Sequence, residues 1–169
     1  MTDRTYNVLF LCTGNSCRSI IAEGLLNHLG QGRFTGYSAG SHPAGRINPY
    51  AVRALEKLGI STEGLSSKNW DEFETSDAPV MDFIVTVCDN AAGEACPIWP
   101  GQPATVHWGV PDPALFKGDN TETEAEFDET LNRLRRRILA LLALPLENLK
   151  GEEVKHRLNE IGLTADDNT

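Results

Sequence analysis

Residues Asn7 to Cys12, NVLFLC, form an almost unbroken apolar run after a short polar lead, the pattern of a strand buried on both faces. Past a stretch of small polar residues, Ile21, Leu25, His28 and Leu29 recur at helical spacing, and Gly30 stands where a helix C-cap belongs. Phe34 to Gly40, FTGYSAG, reads as a second and weaker strand. Asn48-Pro49 opens a helix with proline at its first position; Ala51, Leu55 and Leu58 make its apolar stripe, and Gly59 closes it. Asp82 to Cys88 and Ala104 to Val110 are the third and fourth strands. A long helix is predicted from about Thr121, with Thr121 and Glu124 as its capping box. Its stripe is Phe127, Leu131, Leu134, Ile138, Leu141 and Leu142, and Pro145 ends it. Leu149 to Gly162 has the pattern of a further amphipathic helix, and the last residues read as a frayed tail. Ala91 to Pro103, rich in glycine and proline, is the one long irregular connection, and such loops in compact domains are usually functional or mobile.

Strands alternating with helices predict an α/β fold with a parallel sheet covered by helices. The 169 residues suit a single domain that buries a core without disulfide staples. No apolar run approaches the length of a membrane span, and the lead MTDRTYN lacks a secretory signal, so a cytoplasmic protein with reduced thiols and no membrane partner is expected. Four cysteines in that setting point to catalysis, redox work or metal rather than structural bridging. The formal charge of −9 argues against nucleic acid as a partner. Any anionic ligand must be drawn by a local positive site against that field.

Such a site is legible at the first strand-to-helix turn, where Cys12 and Arg18 frame a C-x5-R pattern. Backbone N–H groups at such a turn and helix N-terminus converge on an anion. Arg18 adds a planar donor fork suited to a tetrahedral oxyanion, and the same positive field favours the Cys12 thiolate. Gly14 permits close backbone approach, and Asn15 tolerates a left-handed conformation. Ser16 and Ser19 have hydroxyls to donate to thiolate or ligand. Thr13, Gly14, Asn15, Ser16, Cys17, Arg18 and Ser19 are therefore the expected oxyanion-binding residues. The G-x4-G-K-[ST] pattern of a nucleotide phosphate loop is absent.

Val8 to Ser19, VLFLCTGNSCRS, resembles the signature of low-molecular-weight protein tyrosine phosphatases and of the arsenate reductases built on the same fold. The resemblance runs from Asn7 to Leu144 and includes SAG at Ser38 to Gly40 and VPDPA at Val110 to Ala114. VTVCDNAAGEACPIWPG at Val85 to Gly101, followed by HWGVPDP, is similar to the reductase branch. The resemblance implies one phosphatase-like domain over residues 1–144, with a four-stranded parallel sheet in the order 2-1-3-4 and helices on both faces; residues 145–169 lie beyond it and read as a C-terminal helical extension. It implies Cys12 as nucleophile, Arg18 as oxyanion clamp and Asp112 as the acidic residue facing them.

In that strand order the strands ending at Cys12 and Cys88 are neighbours. Adjacent strands lie about 4.8 Å apart, and disulfide-bonded cysteines have Cα atoms about 5.5–6 Å apart, so a bridge needs only modest loop movement. The implied reaction reduces arsenate to arsenite: Cys12 attacks arsenic, Cys88 attacks the Cys12 sulfur, and Cys96 then carries the disulfide outward to thioredoxin. If Cys96 is inert, glutathione or glutaredoxin resolves the intermediate instead. Cys88 as a packed strand-terminal residue is the bland alternative, and a phosphatase working through a Cys12 phosphoenzyme, or a redox-sensing anion module, the functional ones. Cys17 either packs beneath the loop or forms a protective bridge to Cys12. No metal and no cofactor is expected, since the cysteine spacings lack the paired pattern of zinc sites. His107 is expected to be packed, His28, His42 and His156 show no ligand spacing, and Trp99 and Trp108 read as core or as a shield over the site. Arg133 to Arg137, RLRRR, reads as a solvated helix face.

Overall fold

The computed structural model describes residues 5–87, 103–149 and 151–164. Strands β1 (Tyr6–Leu11), β2 (Phe34–Ala39), β3 (Phe83–Thr86) and β4 (Ala104–His107) pair in parallel in the order β2-β1-β3-β4. Helices α1 (Arg18–Leu29), α2 (Pro49–Lys57), α3 (Asn120–Leu142) and α4 (Gly151–Thr164) complete the regular elements among the described residues. The implied fold and strand order are both present.

Alternation along β1 explains its unbroken hydrophobicity. Tyr6, Val8 and Phe10 share a core with the buried faces of all four helices, while Leu9 and Leu11 join Ile84, Met81 and Phe73 in a second cluster. The short 3₁₀ helix Trp70–Phe73 covers that second cluster. The central strand is thus sheathed by helical segments on both sides.

The remaining elements follow local chemistry with instructive shifts. In α2 the Asn48 side chain accepts from the Tyr50 N–H and Pro49 takes the first position, as the sequence indicates. The buried residues, however, are Ala51, Ala54 and Leu55, because Leu58 falls beyond the last turn and is 43% exposed. Gly59 follows at φ +75°, a left-handed turn that favours glycine. Gly30 caps α1 for a different reason: its φ is −102°, but a Cβ there would sit 2.9 Å from the Leu26 carbonyl oxygen and 3.1 Å from the Phe34 Cβ. His28, placed on the stripe by spacing, is exposed.

The capping box of α3 is Asp119 with Glu122, each side chain meeting the other's backbone N–H, two residues before the expected pair. Beyond β4, Trp108 N–H donates to Thr86 and Val110 N–H to Val87, so pairing continues past the assigned strand end. Helix α4 packs here. It buries Val154, Leu158 and Ile161, its Leu158 carbonyl accepts from the Trp108 indole at 2.8 Å, and Gly162 lies flush against the His107 carbonyl and the Trp108 ring. Trp108 is therefore core. His107, expected to be packed, is exposed because its strand is at the sheet edge, with its ring 2.7 Å from the Thr86 hydroxyl.

Candidate active site

Cys12 is the residue after β1 and continues the alternation of Val8 and Phe10, so its side chain enters the larger core and is only 4% exposed. From there the chain turns at Asn15, the one described non-glycine residue with positive φ, at +45°. Few L residues accept that conformation, and asparagine is among them. The carbonyls of Thr13, Gly14 and Ser16 each accept a 2.9 Å hydrogen bond, from the N–H groups of His42, Ala44 and Asn48 respectively. The peptides are trans, so the N–H groups of Gly14, Asn15 and Cys17 point the opposite way, into the loop. Helix α1 then begins at Arg18 with no side-chain cap and no acidic residue in its first turn. The positive end of its dipole favours an anion there.

The loop is held from below by a network with no local signature in sequence. The buried Asn15 side chain donates to the Ser19 hydroxyl at 2.8 Å and accepts from the Lys68 N–H at 2.8 Å. The Lys68 ammonium donates to the carbonyls of Ser38 and Ser66, and the Ser38 hydroxyl donates to Glu23. Burial pushes the Glu23 carboxyl above its ordinary value, opposed by the Ser38 hydroxyl and the Lys68 charge. Ser67 donates to the Gly14 carbonyl. Asn15 and Ser19 thus brace the loop through their side chains.

Gly40 closes the loop's flank. A Cβ there would lie 2.4 Å from the Thr13 carbonyl oxygen and 2.7 Å from that of Cys12, both backbone atoms that cannot step aside. Gly40→Ala is therefore expected to cost about 1–3 kcal/mol of stability and to weaken phosphate binding, as read by chemical denaturation and phosphate titration. Wild-type values in both would refute the contact.

Arg18 and Asp112 form the charged wall. The Arg18 guanidinium donates to the Val110 carbonyl at 3.1 Å and pairs with the Asp112 carboxylate at 3.3 Å, its side chain 12% exposed. Asp112 also accepts from the Ala114 N–H at 2.9 Å and from the Cys17 thiol at 3.7 Å. Burial, reinforced by the Asp112 charge and only partly offset by Arg18, pushes the Cys17 thiol up to about 11. Cys17 is a protonated donor at neutral pH and a poor nucleophile.

The structure brings Cys12, Cys17, Arg18 and Asp112 to the carboxyl edge of the sheet, where open α/β sheets place ligands. Cys88, Cys96 and Trp99 lie outside the described residues. The residue before Cys88 is described: Val87 donates its N–H to the Leu11 carbonyl at 2.9 Å, beside the start of the loop. No cluster of three or more metal-ligating side chains occurs among the described residues, nor any helix long and apolar enough to cross a membrane.

Residues 7–156 match the family described as low molecular weight phosphotyrosine protein phosphatase. An arsenate reductase of Halalkalibacterium halodurans is 39% identical over 132 residues, covering 78% of this chain and 91% of that protein. An arsenate reductase solved in a phosphate-binding state superposes with a TM-score of 0.66 at 28% identity, covering 82% of this chain and 98% of the other. The thioredoxin-dependent arsenate reductase of Corynebacterium glutamicum gives 0.55 at 26% identity, covering 82% of this chain and 64% of that one. The chain therefore belongs to the low molecular weight phosphotyrosine protein phosphatase family, on the branch that holds the arsenate reductases.

Proposed function

We propose that the protein reduces arsenate to arsenite, in the service of arsenic detoxification, through Cys12 and a relay of further thiols. The observation that carries this reading is the pairing of β1 with β3, which sets the residue before Cys88 against Leu11 at the mouth of the Cys12 loop. The inward N–H groups, the positive end of α1 and Arg18 hold the oxyanion and favour the Cys12 thiolate. That thiolate attacks arsenic(V), and a hydroxyl leaves as water. Asp112 passes the substrate's own proton to the departing oxygen. Cys88 thiolate next attacks the Cys12 sulfur: a disulfide forms, the sulfur–arsenic bond breaks, and its electron pair stays on arsenic, now arsenic(III). Cys96 exchanges onto Cys88 and frees Cys12, and a dithiol protein, thioredoxin, reduces the outer bridge in the cytoplasm.

The alternative is hydrolysis of phosphoesters through a Cys12 phosphoenzyme, which the same cradle serves. Phosphorus in such an ester has no comparable two-electron exit, so Cys88 and Cys96 favour the reductase.

The test is arsenate-dependent NADPH consumption with thioredoxin and its reductase, with arsenite identified as product. Arsenite formed only with glutathione and glutaredoxin would replace the reductant. None with either system, beside steady hydrolysis of p-nitrophenyl phosphate, would overturn the reading. Cys96→Ser treated with one equivalent of arsenate is expected to trap a Cys12–Cys88 bridge, detected by peptide mass spectrometry. A product with both thiols free would exclude the relay.

A further inference from the structure

Arg137 closes the RLRRR segment, yet it is 2% exposed, whereas Arg135, two residues before it, is at the surface. A fully buried guanidinium is expensive and has to be matched by acceptors. Two of them are carbonyls: Arg137 donates to Arg133, one turn back in α3, and to Gly109, each at 3.4 Å. Gly109 opens the connection from β4 to Asp112.

The peptide joining Gly109 to Val110 is held at both ends, its carbonyl by Arg137 and its N–H by the Val87 carbonyl at 3.1 Å. The next peptide joins Val110 to Pro111. It has no N–H, and its carbonyl takes the Arg18 guanidinium. Two residues further on, Asp112 meets the other arm of Arg18. On the other side, Trp108 is anchored by its indole to Leu158. Each link fixes the orientation of the following one, and glycine at position 109 supplies no rigidity of its own.

We propose that Arg137 is a positioning residue for the reaction: by fixing the Gly109 carbonyl it orients the Val110 carbonyl and the Asp112 carboxylate against which Arg18 is aimed at the oxyanion. The inference rests on the function proposed above only for the roles of Arg18 and Asp112. It predicts a defect in oxyanion holding, where a residue serving stability alone would lower the melting temperature and leave the folded site intact.

Arg137→Met and Arg137→Lys are compared with wild type at a temperature where circular dichroism shows them folded. The readout is protection of Cys12 from iodoacetamide by inorganic phosphate, with alkylation located by peptide sequencing. Small displacements of a clamping group are costly, so half-protection is expected to need about tenfold more phosphate in Arg137→Met. Lysine keeps the charge without the fork, and about threefold is expected for it. Arsenate KM should rise in parallel, with kcat changed less. Folded Arg137→Met protected at the wild-type phosphate concentration overturns the proposal, and if that variant does not fold, unchanged protection in Arg137→Lys does so alone. Weakened protection in a protein that reduces no arsenate would refute the reductase reading and leave this one standing. Failure of phosphate to protect the wild type would refute the cradle, and this placement with it.

Discussion

Serine at position 12 is expected to lower arsenate turnover on the order of 10⁵-fold while leaving the fold and the oxyanion cradle in place. The size of the effect follows from what the loop supplies. Inward N–H groups, the uncapped start of α1 and the Arg18 charge favour an anion at the loop's base. A field of that sign favours thiolate over thiol, and a thiol's ordinary pKa of about 8.5 is already close to neutral. A hydroxyl starts far higher, and the same field leaves it protonated. Serine is also unable to form the disulfide that carries electrons to arsenic, so the second step is lost with the first. The side chain is nearly isosteric at a position 4% exposed, which keeps the loop shape. Phosphate should therefore still raise the melting temperature of Cys12→Ser as it does that of wild type. Residual reduction above one part in about a hundred would mean another residue is the nucleophile, a conclusion the magnitudes for removed nucleophiles make unambiguous.

What the sequence makes legible here is what local chemistry decides. The strand at β1, the left-handed turn at Asn15 and the C-x5-R frame are all encoded within a dozen residues, and the structure displays each. Asp112 is legible only through resemblance, because nothing in its own neighbourhood ties it to Arg18 across 94 positions (112 − 18). Lys68 and Ser67 were missed for the same reason: they meet the loop from 53 residues away and form no local pattern with it. The α3 cap differs from the expected one because DNTETE offers two overlapping boxes. Tertiary contacts decide between them, since Glu124 is drawn to Arg53 and Lys57 on α2 and is not spent on capping. Arg137 carries a signal in its spacing. It falls three residues after Leu134 and four before Leu141, on the buried stripe of its helix. Charge alone suggested solvent, and position pointed inward.

The second large effect concerns the step that separates a reductase from a phosphatase. Cys88→Ser is expected to reduce thioredoxin-supported arsenate turnover by at least about 10³-fold, while hydrolysis of p-nitrophenyl phosphate stays within about twofold of wild type. The two assays share everything up to the covalent intermediate: the cradle, Arg18, Asp112 and Cys12. They part afterwards. A phosphoenzyme is released by water at phosphorus, which needs no second thiol. A sulfur-bound arsenic(V) yields arsenite only if a thiolate attacks the sulfur and leaves the electron pair on arsenic. Position 88 follows Val87, whose backbone is bonded to Leu11 at the start of the loop, so in the proposed relay a thiolate there would attack within one molecule with the advantage of proximity. Glutathione lacks that advantage, and adding it at millimolar concentration should restore only a small part of the rate. Loss of both activities together would place Cys88 among the groups that build the site, and equal retention of both would remove it from the chemistry altogether.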